Sequence, residues 1–199
     1  MSEHHKDHTG GKLGMWFFLL TEIMLFGGLF ILYAVYLKRY PKEFISAGDQ
    51  LDIRFGGGNT LVLLTSSFFV AMSITALRRK AKRVTLCLLS GTIGFAVLFM
   101  INKYFEWSAK IHHGIYPGSP HMKEIAPGES IFFSLYYITT GLHGLHVIIG
   151  ILLLSWAWFA IKTDRVNHKD WLLLENVGLY WHLVDIIWIF VFALYYLVL

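Results

Sequence analysis

Five long apolar runs divide the chain, and short polar segments separate them, at residues 14–37, 59–77, 84–107, 131–161 and 172–199. Each run is about 20 residues or longer, which at about 1.5 Å per residue is enough to cross a bilayer as a helix. The pattern predicts an all-α integral membrane protein. We expect a hydrophilic tail at residues 1–13 and a single transmembrane bundle of five helices at residues 14–199.

The last apolar run carries three ionisable residues, Glu175, His182 and Asp185. A charged side chain at membrane depth costs about 2.5–3.5 kcal/mol on insertion scales, so such groups face protein or a cavity. His182 and Asp185 are three positions apart on one helical face, which predicts that they hydrogen-bond each other. Glu175 lies near the end of the run, where its carboxyl is expected to reach water.

Glu22, His143 and His146 lie within two of the other runs, and their roles stay open at this point. Glu22 has no partner nearby in sequence, so we expect a protonated or hydrogen-bonded carboxyl. Its role is either structural or that of a proton-relay or lipid-cleft residue. His143 and His146 lie three apart on one helix, which is a poor arrangement for two axial ligands of one haem. Structural hydrogen bonding is therefore favoured over haem or metal ligation.

The distribution of basic residues predicts the orientation of the bundle. Residues 78–83 hold five cationic side chains in six positions, and short cytoplasmic loops are enriched in such residues. This places the amino terminus in the cytoplasm and the carboxyl terminus outside. Because the basic cluster is confined to a short hairpin, nucleic-acid binding is not expected.

The remaining features of the sequence narrow the chemistry. The single cysteine, Cys87, excludes an internal disulfide and a cysteine-based metal cluster. The tail contains His4, His5 and His8, for which a solvated segment is favoured over a metal site. Glycine pairs in three of the apolar runs predict close helix contacts, at Gly27-Gly28, Gly91 with Gly94, and Gly141 with Gly144. The run of three glycines at 56–58 predicts a flexible turn before Asn59.

Five motifs together resemble the cytochrome c oxidase subunit III family of the haem–copper terminal oxidases. They are GMWFFLLTEIMLFGGLF at 14–30, NTLVLLTSS at 59–67, YFEW at 104–107, TGLHGLHVIIG at 140–150 and ENVGLYWHLVDIIWIFVF at 175–192. The resemblance implies a multi-pass subunit of the bacterial inner membrane without haem or copper of its own. It also implies contact with the catalytic subunit I, with subunit II in the same complex, which can belong to a larger respiratory supercomplex.

The resemblance also implies roles for particular residues. Glu22 matches the family's membrane-buried carboxyl that reacts with carbodiimides. The family's other buried polar positions correspond to Asn59, Glu106, His143, His146, Glu175, His182 and Asp185. Such subunits are understood to bind phospholipid in a cleft, to sustain proton uptake by subunit I and to protect it from inactivation during turnover. Long members have two further helices before the Glu-bearing one, and these form a wall of that cleft.

Several functions remain open from the sequence. The electron donor of the oxidase can be cytochrome c or a quinol, and nitric-oxide-reductase relatives share these motifs. A self-contained haem or metal protein would use His143, His146 and His182. A proton channel or small transporter would use Glu22 and Asp185.

Overall fold

The computed structural model describes residues 8–197, and this part of the chain is helical. Five of the helices are long and apolar enough to cross a membrane, which confirms the predicted architecture. The elements are α1 (His8–Arg39), α2 (Pro41–Gly48), α3 (Ile53–Arg78), α4 (Lys82–His112), α5 (His121–Glu124), α6 (Pro127–Lys162), α7 (Leu172–Phe192) and a π-helical turn (Ala193–Leu197).

Four of the long helices form the centre of the bundle, and α1 lies at its edge. Helices α3 and α4 form one antiparallel hairpin, α6 and α7 form the other, and α3 packs on α7 while α4 packs on α6. Helix α1 packs on α6 and α7. The core between the hairpins contains large aromatic side chains that are fully buried, among them Trp181, Trp188, Tyr136 and Phe99. Most outward side chains are apolar, as lipid contact requires.

Four of the five long helices extend beyond the predicted apolar runs, namely α1, α3, α4 and α6. The flexible turn predicted at residues 56–58 is wrong. Helix α3 begins at Ile53, where the Asp52 carboxylate accepts a hydrogen bond of 2.8 Å from the Arg54 backbone N–H. Gly56 lies inside this helix, and a Cβ there would be 2.8 Å from the Tyr196 ring. The glycine therefore serves close packing, because an aromatic ring from the carboxyl-terminal segment lies against the helix backbone.

The predicted glycine contacts are confirmed at some positions and wrong at others. A Cβ at Gly91 would be 2.9 Å from the Phe69 ring, so this glycine does allow a close approach. A Cβ at Gly27, Gly28 or Gly94 would meet no neighbouring atom within 4 Å. A small residue permits a contact, but the rotation of the helix decides whether a neighbour uses it.

Within the hairpin of α6 and α7, Gly150 allows a close approach between the two helices. A Cβ at Gly150 would lie 2.6 Å from two ring carbons of Trp181. That ring is fully buried, and its Nε1–H donates to Ser66 Oγ at 3.0 Å, so it cannot move without breaking a hydrogen bond.

We predict that Gly150→Ala lowers the free energy of unfolding by about 1–3 kcal/mol, the usual cost of overpacking a core. Gly94→Ala is the matched control, because its added methyl group meets no neighbour. Thermal or denaturant unfolding in detergent would measure both. Equal stability of the two variants would contradict the close packing at Gly150.

Candidate functional site: buried polar clusters between the helices

Glu22 forms a hydrogen-bonded pair with His146 where α1 meets α6. Within residues 10–39, the buried side chains are Leu19, Phe26 and Tyr33, which recur every seven residues along one narrow stripe. Glu22 lies between the first two on this stripe, and its Oε2 is 2.8 Å from His146 Nε2. The side chains are 14% and 10% exposed, so the pair lies at the edge of the bundle. The partner that the sequence could not supply for Glu22 is therefore on α6.

The surroundings of His146 determine which atoms of the pair carry hydrogen. His146 Nδ1 is 2.8 Å from the Leu142 carbonyl oxygen, which can only accept, so Nδ1 carries a hydrogen. A hydrogen must then also lie between Nε2 and the Glu22 carboxyl, on one atom or the other. The pair is a neutral acid with a neutral imidazole, or a carboxylate with an imidazolium. Both forms have zero net charge, so a proton can move between the two groups without altering the charge of the site.

Aromatic groups surround this pair and fix its position. The Phe26 ring meets the imidazole edge-on, with centroids 5.3 Å apart. The Tyr180 hydroxyl donates to the His146 carbonyl oxygen at 3.1 Å, and Phe18 stacks on the Tyr180 ring. The Phe26 ring therefore positions the imidazole of His146, and the Tyr180 hydroxyl positions its backbone.

A second cluster, which we call the lysine cluster, consists of Lys103, Glu106, Tyr136 and Tyr196. Lys103 Nζ donates to Glu106 Oε2 at 2.9 Å and to the hydroxyls of Tyr136 and Tyr196 at 3.1 and 3.3 Å. Both tyrosines also donate to Glu106 Oε1, at 2.6 and 2.5 Å. All four side chains are buried. The opposite charges balance, and each has several hydrogen bonds, as a buried ion pair requires.

The lysine cluster depends on the π-helical turn after α7. A π turn contains an extra residue, and here two consecutive tyrosines, Tyr195 and Tyr196, are both buried. Tyr196 enters the lysine cluster, while the Tyr195 hydroxyl is 3.1 Å from that of Thr139 on α6. The turn thereby connects α7 to α6 and α4. Sequence reasoning missed Lys103, although its i, i+3 spacing from Glu106 was a signal for this pair.

The predicted hydrogen bond between His182 and Asp185 is wrong. His182 Nδ1 lies 2.6 Å from the hydroxyl of Ser67 on α3. Ser67 also lies near Asp185, but both carboxyl oxygens are buried without a hydrogen bond to any described residue. The i, i+3 spacing placed His182 and Asp185 on one face of α7. That face packs on α3, and the Ser67 hydroxyl of α3 is the better-placed partner for the imidazole.

His143 has no polar partner among residues 8–197. Its ring is fully buried with both nitrogens unpaired, and it packs against the rings of Phe99 and Trp188 at centroid distances of 5.6 and 5.1 Å. The structural hydrogen bonding expected for the two histidines is thus found at His146 and not at His143. In the described part of the chain, no three His, Cys, Asp or Glu residues are grouped to hold a metal ion.

The histidines do not form a set of haem ligands. Both ring nitrogens of His146 have protein partners, His143 is enclosed by aromatic rings, and His182 faces a serine. Among the described residues, these three histidines therefore do not fit as axial ligands of a haem.

Two of the remaining site residues pair with groups on other helices. Asn59 is fully buried on α3, and its Oδ1 accepts from Asn102 Nδ2 on α4 at 3.0 Å. Glu175, at the start of α7, forms a half-exposed ion pair of 3.1 Å with Lys12 on α1. His4 and His5 lie outside the described residues, and the side chain of His8 is likewise not described.

A family model for cytochrome c oxidase subunit III matches residues 2–198. The chain belongs to the cytochrome c oxidase subunit III family. The match covers nearly the whole sequence and confirms the resemblance seen in its five motifs.

Relatives of this subunit III come from different kinds of oxidase. Cytochrome c oxidase subunit 3 of Synechocystis sp. is 29% identical over 98% of this chain and 78% of its own length. Cytochrome bo(3) ubiquinol oxidase subunit 3 of Pseudomonas aeruginosa is 29% identical over 98% of this chain and 90% of its own length. A heme-copper oxidase subunit I+III of Aeropyrum pernix is 30% identical over 94% of this chain, which spans only 22% of that longer protein.

We predict that Lys103→Met destabilises the protein by about 3–5 kcal/mol, because it leaves the Glu106 carboxylate buried without its cation. The double variant Lys103→Met with Glu106→Gln removes both charges and should recover part of that loss. Unfolding in detergent would measure the two. A double variant no more stable than the single one would contradict the charge compensation within the lysine cluster.

Proposed function

We propose that this subunit III is an accessory subunit of a proton-pumping haem–copper terminal oxidase that reduces O2 to water in an aerobic respiratory chain. In this proposal it lies in a bacterial inner membrane with its amino terminus in the cytoplasm. It packs against subunit I, with subunit II in the same complex, and the haem and copper are held by those partners. Its own contribution is to stabilise subunit I and to sustain proton uptake there.

The observation that carries this proposal is the Glu22–His146 pair. It holds one transferable proton at zero net charge, and it lies at the edge of the bundle. The proton can shift between the two groups at little electrostatic cost, because that shift creates no net charge in the low-dielectric interior, and the pair lies where a neighbouring subunit could contact it. In the described part of the chain, His143 and His182 have no comparable acid partner.

Direct contact with subunit I is supported by one of the relatives. The Aeropyrum pernix protein carries both subunits in its name and matches this chain over a fifth of its length. If the two are joined in one polypeptide there, the same fold must lie within reach of subunit I. We extend that neighbourhood to this chain.

The names of the relatives point to two different electron donors for the oxidase. Relatives are named as cytochrome c oxidase subunits and as a ubiquinol oxidase subunit, at nearly equal identity. We propose cytochrome c as the donor and keep quinol as the alternative. Oxygen consumption by the purified complex, with reduced cytochrome c or with a quinol as the substrate, distinguishes them.

We predict that the tagged protein, extracted in mild detergent, co-purifies with a larger haem-bearing subunit. The isolated and folded chain should show no Soret absorbance, since its histidines lack a ligand geometry. A Soret band in the isolated chain would instead establish a stand-alone haem protein. Proton flux in liposomes that contain only this chain would support the channel alternative.

We predict that Glu22→Gln leaves assembly and initial turnover near the wild-type level but makes activity decay several-fold faster during sustained turnover. The amide keeps the size and can still donate to His146 Nε2, but it cannot release a proton. Glu175→Gln is the matched control, because that carboxyl pairs with Lys12 at a half-exposed position. Equal decay of both variants and the wild type would contradict a protonic role for Glu22.

A further inference from the structure

The basic cluster at residues 78–83 contains cations of two kinds. Arg78 stacks over the Trp171 ring, with its guanidinium carbon 4.8 Å from the ring centroid. Lys82 forms an ion pair of 2.6 Å with Asp164. These two cations are already used by the protein, since they connect the hairpin of α3 and α4 to the segment between α6 and α7.

Arg79 and Arg83 differ from these two residues. Both side chains are exposed, and neither makes a hydrogen bond or an ion pair with any described residue. Arg79 follows the end of α3, and Arg83 is the second residue of α4. Two uncompensated guanidinium groups therefore lie close in sequence at the point where the helix pair leaves the membrane.

An apolar groove begins beside these cations and runs between α3 and α4. It has a volume of about 410 Å³ and is lined by Ala71, Met72, Thr75, Ala76, Arg79, Ala81, Val84 and Leu88. Three of these residues are alanines, whose short side chains leave the space open. The Thr75 hydroxyl donates to the Ala71 carbonyl oxygen at 3.3 Å, so its hydrogen bond is made within its own helix.

The length of the groove fits one leaflet of a bilayer. From Ala71 to Arg79 is eight residues, or about 12 Å along the helix. Half of the hydrocarbon core is about 15 Å thick. The groove therefore runs from the membrane boundary most of the way to the bilayer centre, with a positive charge at its outer end and an apolar lining below it.

We propose that this groove binds an acyl chain of an anionic phospholipid, whose phosphate contacts Arg79 and Arg83. Guanidinium groups bind phosphate through paired, charge-assisted hydrogen bonds. Helix α4 also begins there without a capping side chain, so the positive end of its dipole favours the same anion. A soluble anion would satisfy the arginines but would leave the apolar groove unfilled.

This site is separate from the Glu22–His146 pair and from the proposed function. The pair lies on the α1 and α6 side, and α1 packs on α6 and α7, whereas the groove belongs to α3 and α4. Lipid binding there requires neither a proton role for Glu22 nor a particular electron donor.

The test is lipid binding by the purified protein, with the subunits that co-purify, in nanodiscs of phosphatidylcholine with spin-labelled phosphatidylglycerol. The double variant Arg79→Gln with Arg83→Gln should weaken the association of phosphatidylglycerol by about tenfold. The matched control is Arg165→Gln with Lys169→Gln, which removes two exposed cations outside the groove and should change little. Because the readout is lipid binding, it does not depend on oxidase activity.

A second variant tests the groove apart from its charge. Ala71→Leu fills the groove from an exposed position without entering the core, and it should weaken the same association while keeping both arginines. Equal loss in the control variant would show diffuse attraction of anionic lipid and overturn the proposal. So would unchanged binding in Ala71→Leu, or a Met72→Cys variant that crosslinks in native membranes to another subunit instead of to a photoreactive lipid.

Discussion

The hydrogen bond between Glu22 and His146 joins α1 to the bundle at a depth where water is not available as an alternative partner. Leu19, Phe26 and Tyr33 form only a narrow stripe of contact, which by itself would allow α1 to slide or rotate. The polar pair removes that freedom, because any rotation would place a carboxyl in lipid. The Tyr33 hydroxyl, further along the same stripe, then meets the Leu194 carbonyl oxygen at 2.6 Å.

The same constraint organises the other half of the bundle. The lysine cluster buries one positive and one negative charge, and each finds partners on more than one helix. Such a cluster is costly to bury and costly to break, so it fixes the relative positions of α4, α6 and the π-helical turn. The turn has a direct structural reason, since it allows two adjacent tyrosines to face inward.

Charged groups at the surface of the bundle have different contacts from those inside it. Inside the bundle, Lys103 pairs with Glu106, and Glu22 pairs with His146. At the turn between α3 and α4, Arg78 and Lys82 contact other parts of the protein, whereas Arg79 lines an apolar groove without a hydrogen bond or ion pair to the described residues. The two cations with protein partners connect the hairpin of α3 and α4 to the segment between α6 and α7. One short basic segment thus contributes to packing through two of its cations, and the proposed lipid site would use others.

Much of the fold could be read from the sequence, because the bilayer leaves few alternatives. Backbone polar groups cannot stay unpaired in lipid, so an apolar run of sufficient length has to be a helix, and counting such runs gave five spans. The cost of burying charge likewise singled out Glu22 as a residue that must have a partner, and the family resemblance indicated Glu106. Their identity as site residues needed no tertiary information.

The partners themselves were decided only by the tertiary structure. Glu22 and His146 are 124 positions apart, and no local spacing connects them. Local spacing was misleading at His182, which binds Ser67 on a neighbouring helix instead of Asp185 on its own. It was also insufficient at the glycines, where Gly150 is tightly packed and Gly94 is open. In each case the deciding quantity is the rotation of a helix about its axis, which depends on all its neighbours at once, whereas the length and polarity of a span depend on that span alone.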